Sequence, residues 1–288
     1  MASACGELSA RACEAIIEAA AESGDCSGLE SLLEMLQSLD RGGKGRAHLL
    51  CRRVERALAR IAEDRRRYEE RWAYERRCWQ QGFRVVCGVD EAGRGPLAGP
   101  VVAGAAVLEP GTYIQGLDDS KKLTPAQRER IYDLVVARAD AVSTGIATVE
   151  EIDTHNIYRA TIIAMVRALK GLSIAPDYVI TDAVRLPGLP TPQLPVIDGD
   201  ALCNCVAAAS ILAKVTRDRI MVDIDREFPE YGFCRHKGYA TSEHLQALER
   251  LGPCPHHRTT FHWRSEQGTL PGLDSVPGRG TGEGAGFD

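Results

Sequence analysis

The stretch GVDEAGRGPLAGPVV, residues 88–102, decides the fold, because it joins two β-rich runs through a short glycine-rich turn. The run RVVCGVD ends at Asp90, and PVVAGAAVLE follows the turn. Runs this close together predict a β-hairpin. An ordinary surface turn needs one glycine and one polar residue, whereas this one carries Asp90, Glu91 and a glycine-flanked arginine, Arg94. This composition is typical of a loop that holds a ligand.

Strands and helices alternate after residue 83. Further strands are predicted in DAVSTGIATV (140–149), DYVITDA (177–183) and QLPVID (193–198). Long helices are predicted at 150–172 and 204–228, where apolar residues recur with helical spacing. The order of three strands, a helix and two more strands predicts an α/β fold whose sheet begins antiparallel.

Composition divides the chain into three regions. Residues 1–80 predict a helical N-terminal extension, with a glycine-rich hinge at 40–45, and residues 81–264 form the predicted catalytic α/β domain. Glycine and proline dominate residues 265–288, so a disordered C-terminal tail is predicted there. The charged helix predicted at 46–81 is open to two interpretations. It is either a solvated helix packed weakly on the main domain or a basic arm that holds a polyanion.

The net charge of −5 conceals a strong local asymmetry. Residues 41–78 carry thirteen Lys/Arg and six Asp/Glu, a local excess of seven positive charges, which suits a polyanionic partner. We expect no membrane segment and no secretory signal. Ten cysteines at irregular spacings predict reduced thiols in a cytoplasmic protein, and a zinc site at Cys203 and Cys205 is the minority alternative.

Four carboxylates follow or end predicted strands. Asp90 and Glu91 end the first strand, Asp182 ends the fourth, and Asp200 follows the fifth. If the first and fourth strands are neighbours, these side chains meet at one edge of the sheet. Because carboxylates this close raise one another's pKa, a divalent cation is needed, and oxygen ligands favour Mg²⁺ or Mn²⁺.

Basic groups accompany these acids, and with a divalent-metal site they favour a phosphodiester substrate. A serine, Ser120, precedes two of them on a predicted turn. The basic groups are Arg94, Lys121, Lys122, Lys214, Arg217, Arg235, His236 and Lys237.

Four further motifs lie in the order and at the spacing of one enzyme family. Together with GVDEAGRGPLAGPVVAGAAVL, the segments LDDSKKLT, VITDA, GDALCNCVAAASILAKVTRD and YGFCRHKGYAT closely resemble bacterial ribonuclease HII over residues 74–263. The Gly-Arg-Gly form separates this family from the related ribonuclease HIII. Family members similar to this chain often have an N-terminal helical extension that ends in a motif like YERRCWQQGFR.

The resemblance implies a ribonuclease H-like mixed sheet flanked by helices. It implies an endonuclease that hydrolyses the RNA strand of RNA–DNA hybrids and incises duplex DNA at single ribonucleotides, leaving 5′-phosphate and 3′-hydroxyl ends. Such an enzyme serves ribonucleotide excision repair and DNA replication. The implied catalytic and metal-binding residues are Asp90, Glu91, Asp182 and Asp200. The implied substrate-binding residues are Gly93, Arg94, Gly95, Ser120, Lys121, Lys214 and Tyr239.

One residue departs from the family pattern, and two other functions remain open. Asp198 stands where the family usually has a lysine, and it is predicted to share a strand face with Asp200 and to disturb a phosphate contact. A non-catalytic protein that binds RNA–DNA hybrids would lack one or more of the four carboxylates, whereas all four are present in this sequence. Alternatively, residues 1–80 recruit the enzyme to a replication or repair protein.

Overall fold

One mixed five-stranded sheet forms the centre of the protein. A computed structural model describes residues 10–40 and 45–262, so the predicted tail and most of the predicted hinge lie outside the described residues. The strands are Val86–Ala92 (β1), Val101–Val107 (β2), Ala141–Ala147 (β3), Tyr178–Asp182 (β4) and Gln193–Val196 (β5). Their order is β3-β2-β1-β4-β5. Strands β1, β2 and β3 pair antiparallel, whereas β4 pairs parallel with β1 and with β5, which confirms the predicted antiparallel start.

Helices cover both faces of the sheet. They are Ala10–Ser23 (α1), Ser27–Leu39 (α2), Arg46–Glu70 (α3), Ala73–Gln80 (α4), Pro125–Arg138 (α5), Val149–Lys170 (α6), Gly199–Leu202 (α7), Asn204–Glu227 (α8), Phe233–His236 (α9) and Ser242–Leu251 (α10). Side chains alternate between the faces of a strand. Val101, Ala103 and Ala105 of β2 therefore pack with α6, while Ala106 packs with α8.

Helix α8 lies unusually close to the sheet because glycines face it. A Cβ atom at Gly88 of β1 would lie 2.1 Å from the backbone carbon of Cys205. A Cβ atom at Gly104 of β2 would lie 2.2 Å from the carbonyl oxygen of Ala209. Alanines on α8 complete the contact, since Ala207, Ala208 and Ala209 are fully buried. The close fit fixes α8 relative to the strand that carries Asp90.

Helix α5 is missing from the predicted order of elements, and so is α10. Both helices begin with capping residues that can be recognised in the sequence itself. Thr124 caps α5 in a capping box with Gln127, followed by proline at the first turn, and Thr241 caps α10. The helix predicted at 150–172 is correct in extent, but Asn156 adopts a positive φ and kinks it.

The N-terminal helices have a small core of their own. Leu50, Val54 and Ile61 on α3 are buried against α1 and α2, so this part of α3 finds its apolar partners within the N-terminal helices. The predicted single helix over 46–81 is wrong, since the chain turns between α3 and α4. Beyond Ile61 the contacts change, because Tyr68 and Trp72 pack with α8. The division of the chain at residue 80 remains a prediction.

Candidate active site

Three carboxylates converge at one edge of the sheet. Asp90 lies on β1 and Asp182 ends its parallel neighbour β4, while Asp200 lies in the first turn of α7, just after β5. One carboxylate oxygen from each lies within 4.8 Å of the others. The backbone N–H of Gly199 donates to Asp182 at 2.9 Å, which ties the α7 turn to β4. The structure therefore brings together three of the four predicted acids.

Burial makes this concentration of negative charge expensive. Burial and the charges of Glu91 and Asp182 raise the pKa of Asp90 well above its ordinary value, although a hydrogen bond from Ser210 opposes the rise. Burial also raises the pKa of Asp182, against the hydrogen bond from Gly199. Three converging carboxylates, of which Asp90 and Asp200 are buried, form the oxygen donor set of a hard divalent cation, so these side chains fit Mg²⁺ or Mn²⁺.

Glu91 lies apart from the three converging acids. Successive strand residues point to opposite faces, so Glu91 leaves β1 on the other side from Asp90, and it is not among the three acids whose oxygens lie within 4.8 Å of one another. Its Oε1 accepts a hydrogen bond from Arg94 at 3.1 Å, and its buried Oε2 has no partner among the described residues. Burial raises the pKa of Glu91, while Arg94 opposes the rise. Its unpaired oxygen leaves one acceptor free beside the cluster, and the metal-binding role of Glu91 remains a prediction.

The Ser120–Lys121 turn contacts the acids in two ways. The ammonium of Lys121 lies 3.0 Å from Asp200, and its side chain is 76% exposed. Burial lowers the pKa of Lys121, but the hydrogen bond to Asp200 and the negative charges of Asp200, Asp119 and Asp90 together raise it overall. Ser120 is buried, and its hydroxyl lies 2.9 Å from that of Ser210, which itself bonds Asp90. Lys121 is therefore placed to meet a ligand, whereas Ser120 lies behind the site.

An open cleft of about 820 Å³ borders α8, with Arg128, Lys214 and Tyr239 among its lining residues. Lys214 donates to Asp218 at 2.7 Å, and burial lowers its pKa. Tyr239 is 44% exposed, and a Cβ atom at Gly95 would lie 3.9 Å from its ring. The glycine loop and Tyr239, which the family resemblance implies to bind substrate, are therefore direct neighbours.

Two residues differ from their predicted environment. Arg217 was grouped with the basic residues that face the substrate, but it is 1% exposed and donates to backbone carbonyl groups, because its position on α8 faces inward. Asp198 does not share a strand face with Asp200. It is an exposed residue with φ of 56° at the start of α7, and its charge contributes to the raised pKa of Asp182.

Sequence reasoning missed two residues that support the site. Ser210 bonds Asp90, and Arg258 is 2% exposed and donates to the carbonyl groups of Gly93 and Arg94. A serine in an alanine-rich helix carries no local sign of this role. An arginine followed by two threonines is typical of a surface, and only the folded structure reveals that Arg258 is buried.

Cysteines take no part in the acidic cluster. Cys203 and Cys205 are buried with Cys78, and burial raises the pKa of both, which favours the thiol over the thiolate that zinc requires. Within residues 10–40 and 45–262, the acidic triad is the one group of metal-binding side chains found. In the same ranges, no helix has the length and apolar character needed to cross a bilayer.

Comparisons with known proteins agree with this geometry. The model of a family described as Ribonuclease HII matches residues 87–265. A ribonuclease HII from Geobacillus kaustophilus is 47% identical over 228 residues, which are 79% of this chain and 86% of the relative. One from Moorella thermoacetica is 52% identical over 200 residues, 69% of this chain and 97% of the relative. The crystal structure of ribonuclease H2 from Pyrococcus horikoshii OT3 aligns with a TM-score of 0.53 and 31% identity, over 62% of this chain and 93% of that one.

Proposed function

Because the chain belongs to the ribonuclease HII family, whose members hydrolyse RNA endonucleolytically within RNA–DNA hybrids, we propose that it also incises duplex DNA at single ribonucleotides. The products would be 5′-phosphate and 3′-hydroxyl ends. The observation that carries the proposal is the proximity of Gly95 and Tyr239, since a Cβ atom at Gly95 would lie 3.9 Å from the tyrosine ring. A loop that recognises the ribose and a ring that covers the next sugar must be neighbours for one ribonucleotide to be recognised.

We assign the cation to Asp90, Asp182 and Asp200, with Glu91 as a fourth ligand. A cation held by these side chains would supply Lewis-acid chemistry, activating water for attack and stabilising negative charge on the leaving group. Both ions prefer the same oxygen donors, so both suit these carboxylates. Lys121 balances the charge of Asp200 in the free protein, and its exposed ammonium then lies within reach of a substrate phosphate.

The Gly93-Arg94-Gly95 loop is assigned to the 2′-hydroxyl group. Gly93 has φ of 95°, a conformation that L side chains rarely adopt, so the chain needs glycine here. Gly95 leaves the backbone accessible, and the 2′-hydroxyl is the group that distinguishes RNA from DNA at a given site. Lys214 is assigned to a phosphate near the cut, because it lines the cleft beside Tyr239. Ser120 is assigned an indirect role through Ser210.

Mapping a cut at one ribonucleotide tests the proposed function. The protein is incubated with Mg²⁺ or Mn²⁺ and a DNA duplex that contains a single ribonucleotide, and the products are sized against markers with defined ends. We expect one incision on the 5′ side of the ribonucleotide, so that this nucleotide carries the new 5′-phosphate. Cleavage of a continuous hybrid without incision of this duplex would contradict the proposal and leave the family assignment intact.

Five exposed arginines on α3 point to a second contact with the substrate. They lie within about a third of the helix circumference and have no ion-pair partner among the described residues. We call them the outer arginine face: Arg46, Arg52, Arg56, Arg60 and Arg67. Arg67 lines a small cavity with Lys122 and Leu202, so one end of the outer arginine face reaches the edge of the active site.

We propose that the outer arginine face attracts the phosphates of the duplex. Recruitment by an acidic surface of a replication or repair protein is the alternative.

A further inference from the structure

Two buried arginines hold the backbone behind the glycine loop. Arg217 and Arg258 are 1% and 2% exposed, and neither forms an ion pair with any described residue. Each donates to backbone carbonyl groups instead. Burial of a charge without a carboxylate partner is costly, and burial lowers the pKa of Arg258 to about 9. A cation kept in such a place needs a structural reason.

Arg258 controls which way the peptide groups of the loop face. Its guanidinium donates to the carbonyl oxygens of Gly93 and of Arg94, the latter at 2.8 Å, and to that of Gly99 at 2.8 Å. In a trans peptide the C=O and the following N–H point in opposite directions. With both carbonyl groups turned inward, the N–H groups of Arg94 and Gly95 face away from Arg258. Neither N–H has an acceptor among the described residues.

Arg217 joins this loop to the segment that carries Tyr239. It donates to Pro100 at 3.0 Å and Ala98 at 3.1 Å on one side, and to Lys237 at 3.0 Å on the other. Its guanidinium also lies 5.9 Å from the centre of the Tyr239 ring. A direct backbone bond from Leu97 to the carbonyl group of Gly238, at 2.8 Å, supports the same connection.

We propose that Arg217 and Arg258 are positioning residues for ribonucleotide recognition. Arg258 holds two N–H donors outward for the 2′-oxygen. Arg217 fixes the position of the Tyr239 ring relative to these two donors. Preorganised donors lose little freedom when the ligand arrives, so they discriminate better than a mobile loop. This inference rests on the proposed function, because it assigns the free donors to the ribose.

Lysine substitutions test the inference, since lysine keeps the charge but loses the planar fork that reaches several carbonyl groups. Binding is measured by fluorescence anisotropy in the presence of a chelator, so that no cleavage occurs. The two duplexes differ by one 2′-hydroxyl. We expect Arg258→Lys to reduce the preference for the ribonucleotide duplex roughly tenfold, while affinity for the all-DNA duplex changes little. Arg167→Lys is the matched control, because Arg167 is half-exposed on α6 and pairs with Glu151.

The outcomes separate this inference from the proposed function. A wild-type protein without any preference for the ribonucleotide duplex would contradict 2′-hydroxyl recognition itself, and with it the role of both arginines. A wild-type preference that survives in Arg258→Lys would overturn the positioning role alone. Circular dichroism checks folding. If Arg258→Lys does not fold, Arg217→Lys provides the test, with faster hydrogen exchange at residues 93–95 as its second expected result. Unchanged exchange and an unchanged preference in that variant would overturn the inference.

Discussion

The acidic triad and the outer arginine face both concentrate charge of one sign, but they do so in opposite surroundings. Asp90 and Asp200 are buried, held by neighbours and close enough to disturb one another. The arginines of α3 are exposed and extend over roughly 30 Å of helix. Buried charges interact strongly and need a partner of defined geometry, whereas exposed charges are screened by salt and accept partners of many shapes.

This difference predicts how each region responds to mutation. If the proposed metal site is correct, removing one charge from the acidic triad removes a ligand that no other group found among the described residues replaces. Removing one charge from the outer arginine face weakens an attraction that its neighbours still supply. Effects should therefore be large and independent of salt in the first region, and small and dependent on salt in the second.

Asp90→Asn should have the largest effect. We expect turnover on a hybrid to fall by about a thousandfold or more, because the amide is a weaker ligand and the ion supplies several kcal/mol of transition-state stabilisation. Hybrid affinity should stay within a few-fold of wild type. Single-turnover assays at saturating Mg²⁺ measure the loss, with Asp133→Asn, an exposed acid on α5, as the control. Substantial turnover by Asp90→Asn would remove Asp90 from the metal site.

Tyr239→Ala should have the next largest effect, and one that depends on the substrate. A deoxyribose on the 3′ side of the recognised ribonucleotide leaves an apolar face for the ring, whereas a ribose at that position buries a hydroxyl without a partner, at a cost of about 1–3 kcal/mol. We expect roughly a tenfold greater loss on a single embedded ribonucleotide than on a long hybrid. Parallel kcat/KM measurements on the two substrates provide the test, with circular dichroism as the folding control. An equal loss on both would assign Tyr239 a general role.

Neutralising the outer arginine face should have a modest effect that depends on salt. We expect Arg52→Gln, Arg56→Gln and Arg60→Gln, combined in one protein, to weaken duplex binding most at low salt. The slope of log affinity against log salt should fall by about one for each phosphate that an arginine no longer neutralises, with the cut position unchanged. Point changes are preferable to deletion of residues 1–73, which would also remove Tyr68 and Trp72 from the core. An unchanged affinity and slope would favour recruitment of a protein partner.

Asp198→Lys should have the smallest effect. Because Asp198 is exposed, screening limits its influence, and we expect duplex binding to tighten by about two- to threefold. Titration of the duplex at two salt concentrations measures the change, and Asp198→Asn separates loss of repulsion from gain of attraction. Weaker binding by the lysine variant would mean that Asp198 serves the acidic cluster.

The acids at strand ends could be predicted, whereas the supporting arginines could not. Asp90 and Asp182 follow apolar runs, and parallel neighbouring strands bring such ends together. Asp200 was predicted to follow the fifth strand, and it lies in the first turn of α7, just after β5. By contrast, Arg258 contacts Gly93 across 165 positions, and no local pattern encodes a contact at that separation. Polar side chains identify a site locally, but their burial depends on the whole chain.

The close approach of α8 to Gly88 divides the acidic triad into a rigid half and an adjustable half. Asp90 lies on β1 and Ser210 lies on α8, and the backbones of these two elements are in close contact. Even an alanine at residue 88 would force the helix away from the sheet. Asp200 stands on a helix of four residues, and its partner Lys121 extends from an exposed turn. Attempts to engineer a different ion preference should therefore begin at Lys121 and the residues around Asp200, since substitutions there leave the glycine-lined contact intact.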